Sequence, residues 1–171
     1  MYIRGSCRVR GLFLLAILLA WGGVPAMAAL RMPVVFSPHL VLQRDMPIPV
    51  WGWDTPGAAV EVRLGEDRRA TQAGADGAWR VDLPPRPAGG PFILTVAGSE
   101  TREIADVLVG EVWLCSGQSN MQWPVRSSLD FEAEQAAAEH PTIRHLGIPR
   151  VLQPVPAADL LESDLLEEAI L

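Results

Sequence analysis

The pattern of apolar and polar positions divides the chain into stretches of different period. Between residues 30 and 105 the apolar residues alternate with polar ones in short runs. Pro47–Trp53, Ala59–Leu64 and Trp79–Leu83 each follow the period of two expected of strands buried on one face. Ala75-Asp76-Gly77 predicts a turn before Trp79, and Pro84–Pro91 a loop before a further strand at Phe92–Val96. No helical period interrupts these runs, so residues 29–105 are expected to fold as a small β-sandwich.

After residue 105 the pattern changes. Val107–Cys115 is almost continuously apolar, as a strand covered on both faces would be. Small and polar residues follow in Ser116-Gly117-Gln118-Ser119-Asn120. A helix is predicted over Leu129–His140, started by Ser127 or Ser128 and ended by Pro141, and then a second buried strand at Ile143–Ile148. Strand, turn, helix and strand are the opening of a doubly wound α/β domain, here residues 106–171. Two strands and one helix cannot cover both faces of a parallel sheet, so this second unit is expected to be incomplete. The tail turns Pro-rich at Pro149 and then acidic, with a short amphipathic helix expected over Asp159–Glu168.

The first 28 residues fit neither pattern. Arg4, Arg8 and Arg10 precede the apolar run Leu12–Trp21, and Ala26-Met27-Ala28 has the small residues that a signal peptidase reads. Residues 1–28 are therefore expected to be a signal peptide cleaved after Ala28, with the protein periplasmic or secreted. Ten apolar residues are too few for a bilayer core of ~30 Å, so no membrane association is expected after cleavage. Removing the three leader arginines leaves 11 against 20 acidic residues, a net charge of −9. That balance argues against nucleic acid as a partner, since such binding depends on basic side chains displacing counterions. Cys115 alone remains after Cys7 is removed, so no internal disulfide is possible. With His39, His140 and His145 scattered, no set of residues has metal-ligand spacing, and no nucleotide-binding glycine motif is present. No cofactor is expected. Trp51 and Trp53 are two residues apart, which would put both rings on one sheet face, either as a sugar platform or in the core.

The candidate for chemistry is Ser119. It is expected just past the end of a buried strand, where α/β sheets place their ligand sites. A serine hydroxyl needs a base to become a nucleophile, and backbone N–H groups of Ser119 and Asn120 would suit an oxyanion. Gly117 would let the backbone approach closely, with Gln118 completing the turn. By itself the tetrapeptide Gly117–Asn120 is more often plain turn and helix-cap chemistry, and Met121 stands where a nucleophile elbow has its second glycine.

The run Val109-Gly110-Glu111-Val112-Trp113-Leu114-Cys115-Ser116-Gly117-Gln118-Ser119-Asn120-Met121 resembles the first block of the sialate O-acetylesterase family, carbohydrate esterases of the SGNH-hydrolase superfamily. Val35-Phe36-Ser37, Leu42-Gln43-Arg44-Asp45, Pro49–Trp53 and Ala88-Gly89-Gly90-Pro91 are similar to the family's leading β-sandwich segment. The resemblance covers about residues 30–150. It implies a three-layer, flavodoxin-like α/β hydrolase domain after the sandwich, with Ser119 as nucleophile and its amide in the oxyanion hole. It further implies hydrolysis of O-acetyl esters on sialic acid or related sugars. The family's remaining oxyanion donors, a Gly and an Asn, and its base, a His in an Asp-x-x-His motif, come from later blocks. No histidine here stands three residues after an Asp, so the catalytic His and Asp are absent from this chain. From about Asp159 the likeness ends. The expectation is an acetylated-sugar esterase impaired by truncation, with a separately encoded remainder as one conceivable partner. A non-catalytic carbohydrate-binding or interdomain sandwich, or a non-functional gene fragment, is the alternative.

Overall fold

The computed structural model describes residues 29–148 and Asp159. The expected signal peptide and the expected helix of the acidic tail, Asp159 apart, lie outside the described residues.

Seven strands form two sheets: β1 Val41–Gln43, β2 Ile48–Trp53, β3 Ala59–Leu64, β4 Asp67–Gln72, β5 Ala78–Leu83, β6 Gly89–Ala97 and β7 Thr101–Gly110. One sheet has the order β1-β7-β6-β3-β4 and the other pairs β2 with β5. β1 runs parallel to β7, and the other pairs are antiparallel. Alternation decides which side chains are hidden. Val60, Val62 and Leu64 of β3, Leu94 and Val96 of β6, and Val81 and Leu83 of β5 all turn inward. With Ile48, Val50, Trp79, Val107 and Val109 they make one cluster shared by both sheets. Each fully buried Val or Leu adds about 1.5–3 kcal/mol relative to exposure.

A bulge in β7 keeps its apolar residues on the core side. Phe92 pairs with Val107 and Leu94 with Ile104, so three steps along β7 match two along β6. Asp106 takes up the extra residue at φ 55°, which allows Ile104 and Val107 both to be buried. Asp54 closes the far end of β2. Its buried carboxylate accepts hydrogen bonds from Thr55 N–H (2.6 Å) and Ser99 N–H (2.8 Å), tying β2 to the β6–β7 turn. Burial alone would raise the Asp54 pKa, but the bonds from Ser99 and Thr55 outweigh it and hold it below the usual carboxylate range.

Several expectations are corrected. The apolar run Val107–Cys115 is not a strand of a second sheet. β7 ends at Gly110, and the break expected between residues 105 and 106 falls inside that strand. Val112, Trp113 and Leu114 are 52%, 82% and 87% exposed, because no neighbouring strand meets them. Arg44 N–H ends the ladder on the Gly110 carbonyl, and the Gln43 side chain accepts the Val112 N–H at 2.9 Å. Ile143–Ile148 forms no strand and is largely exposed for the same lack of a partner. The helix, α1, is shorter than expected at Phe131–Ala137, and the residue ahead of it is Asp130 in the left-handed region rather than a serine. β4 was not foreseen. Asp67-Arg68-Arg69-Ala70-Thr71-Gln72 buries no residue, and its arginines suit an edge that must not pair further.

Candidate active site

Ser119 opens a short 3-10 helix, Ser119–Gln122, and does not directly follow a strand as expected: residues 111–117, which carry no regular structure, separate it from β7. The turn forms because Gln118 is extended, after which Met121 N–H reaches the Gln118 carbonyl (2.9 Å) and Trp123 N–H the Asn120 carbonyl (3.2 Å). At the start of such a helix the first N–H groups have no partner within it. Here these belong to Ser119 and Asn120, and among the described residues no side chain caps them. Gly117 is needed for space: a Cβ there would stand 2.7 Å from Met121 Cγ. Gly117, Gln118, Ser119 and Asn120 are all exposed, so the structure brings the four predicted residues together at one solvent-facing turn.

Among the described residues Ser119 Oγ makes no hydrogen bond. His140 and His145 lie exposed in the stretch after α1, where the His140 N–H is bonded to the Ala138 carbonyl. No three His, Cys, Asp or Glu among the described residues are placed to hold a metal ion.

An Asp–His pair does exist, in a place that sequence spacing did not reveal. His39 Nδ1 lies 2.5 Å from Asp106 Oδ2, although the two are 67 positions apart. The β7 bulge turns Asp106 toward the loop before β1, where His39 also has a positive φ of 70°. Arg144 completes the group. Its guanidinium donates to Asp106 Oδ1 at 2.8 Å and to the Asp106 carbonyl, fastening the segment after α1 to the sheet. The hydrogen bonds from His39 and then Arg144 hold the Asp106 carboxyl below its ordinary range. Spacing within a helix or strand had no access to this cluster, because it depends on a bulge and a long loop closure.

No family model matches the chain. Among curated proteins it is similar to the sialate O-acetylesterase of Pongo abelii, 33% identical over 164 residues, which are 86% of this chain and 31% of that protein. The sialate O-acetylesterase of Homo sapiens is 32% identical over the same shares. Among solved structures, a carbohydrate acetylesterase from Xanthomonas citri superposes with a TM-score of 0.73 at 40% identity, over 78% of this chain and 31% of that one. The chain thus spans about a third of the length of each of these relatives.

Proposed function

The chain belongs to the sialate O-acetylesterase family over the 31% of those proteins that it spans, and on that premise we propose that Ser119 is the nucleophile of a carbohydrate O-acetylesterase. Its Oγ attacks the acetyl carbonyl, a base takes the hydroxyl proton, and the sugar oxygen leaves with a proton. Water then releases acetate from the acyl-serine. The observation that carries this reading is the position of Ser119 at the exposed first residue of its turn. There the turn leaves the Ser119 and Asn120 N–H groups without a partner inside the helix, donors of the kind an oxyanion needs.

We read the two sheets as a β-sandwich and the residues after Gly110 as the opening of an SGNH-type α/β domain. The support is the 0.73 TM-score to an acetylesterase of much greater length. In this reading the base and further oxyanion donors come from the part of the family that the chain does not span. Sugars carrying O-acetyl groups, sialic acid among them, are the proposed substrates.

The reading predicts weak activity for residues 29–171 alone. Loss of members of a nucleophile–base unit costs about 10⁴- to 10⁶-fold in rate. An acetyl-ester assay on the purified chain beside Ser119→Ala should find both near the uncatalysed rate. Robust turnover that disappears in the variant would place the base within this chain and overturn that part of the account.

A further inference from the structure

The Trp51-Gly52-Trp53 motif takes no part in the Ser119 site. Alternation along β2 turns Pro49, Trp51 and Trp53 to one face, where all three are half-buried and Trp51 also packs against the margin of the core at Phe36. β5 sets Arg80 across from Trp51 and Ala78 across from Trp53. These five residues, together with Gly52 and Trp79, line a shallow depression of about 510 Å³. The two indoles are spaced by about 7 Å along the strand.

Both rings are held in place by neighbours. Phe36 meets Trp51 edge-on, with centroids 4.9 Å apart at 77°. The Arg31 guanidinium lies 3.8 Å from the Trp53 ring centre. At the rim, Arg80 donates twice to Asp82 Oδ1, at 3.0 and 3.1 Å, so donors and acceptors stand together beside the rings.

We propose that this face of β2 and β5 is a binding subsite for neutral pyranose sugars, separate from Ser119. A pyranose has an apolar C–H face and a ring of hydroxyl groups. The former packs on an indole, and the latter bond to a fixed arginine–carboxylate pair that both donates and accepts. Rings already immobilised by Phe36 and Arg31 lose little freedom on binding, which lowers the entropic cost of a small contact. Charge sets the class of sugar. Arg80 already faces Asp82, and Arg31 has the Asp159 carboxylate at 3.8 Å. A sugar carboxylate would have to compete with these for its cation, whereas a neutral sugar needs only hydroxyl contacts. The depression is open on one side, which limits affinity to about 1 mM.

The test is a titration of the whole chain, its tryptophan indoles labelled with ¹⁵N, against xylohexaose and, separately, N-acetylneuraminic acid. The indole signals of Trp51 and Trp53 should shift saturably with xylohexaose. N-acetylneuraminic acid should act at least tenfold more weakly. Trp51→Ala risks unfolding the sheet, so the deciding variant is Arg80→Ala, at a side chain 64% exposed. It should weaken xylohexaose binding fivefold or more, while Trp113→Ala leaves it unchanged. No shift at about 10 mM, a shift confined to Trp113 or Trp123, equal or better binding of the acidic sugar, or an Arg80→Ala variant that binds normally would each overturn the proposal. Binding is read here without hydrolysis, so its failure would leave the Ser119 reading untouched.

Discussion

Residues 30–110 and residues 111–148 are similarly rich in large apolar side chains, yet they treat them in opposite ways. The buried core lies wholly between Leu30 and Val109. Of the large hydrophobic residues exposed among those described, Met46 and Ile93 belong to the first region, and the others run from Val112 to Ile148. The contrast is sharpest within one sequence run. Val107 and Val109 are 0% and 3% exposed, and Leu114, five residues on, is 87% exposed. Hydrophobicity did not change between them; the supply of neighbouring strands did. An apolar run becomes a buried strand when another segment satisfies its backbone and covers its side chains.

Hydrogen exchange should show the largest consequence. Core amides of β3, β6 and β7 open with the full stability of the β region, whereas residues 111–148 open locally at little cost. Protection should differ by about a thousandfold or more. Comparable protection in both regions would break the comparison outright. Single substitutions sharpen it. Leu94→Ala, at a site with no exposure, should cost about 2–5 kcal/mol in urea unfolding, and Leu114→Ala should stay within about 0.5 kcal/mol. A large effect of Leu114→Ala would mean that the segment packs in solution.

A smaller effect concerns Asp54, which belongs to the ordered region alone. Asp54→Ala should cost about 1–3 kcal/mol by removing the buried carboxylate that accepts from the part-buried Thr55 and Ser99 N–H groups. The folded-state pKa of Asp54 is depressed, so its contribution is complete above the unfolded carboxylate pKa, about 4. It is lost as pH falls through the lower folded value. The stability gap between the protein and Asp54→Asn should therefore narrow below about pH 4. A gap that widens on acidification would contradict the assigned hydrogen bonds.

How much of this was legible follows from what each signal depends on. β2, β3 and β5 were readable within a residue because their alternation reports directly on a one-sided core. β1 was too short for a periodic signal, and β4 carried none, because an edge strand can be wholly polar. Val112–Cys115 and Ile143–Ile148 were misread as strands because composition records the capacity for burial but not the presence of a partner. At the candidate site, the cluster Gly117–Asn120 was legible as a turn, whereas the tight contact at Gly117 is with the Met121 side chain and not with backbone. The His39–Asp106–Arg144 group was not legible, since a β-bulge and two distant loops bring it together.

The central proposal is that Ser119 is an esterase nucleophile whose base lies in the part of the family that residues 29–148 do not span. Its most direct test is a chimera in which residues 29–148 replace the corresponding portion of the Xanthomonas citri carbohydrate acetylesterase. Acetate release from an acetylated oligosaccharide should be restored in the chimera, and Ser119→Ala within it should lower kcat by about 10⁴-fold or more while the chimera stays folded. A folded Ser119→Ala chimera that releases acetate as fast as its parent would contradict the account.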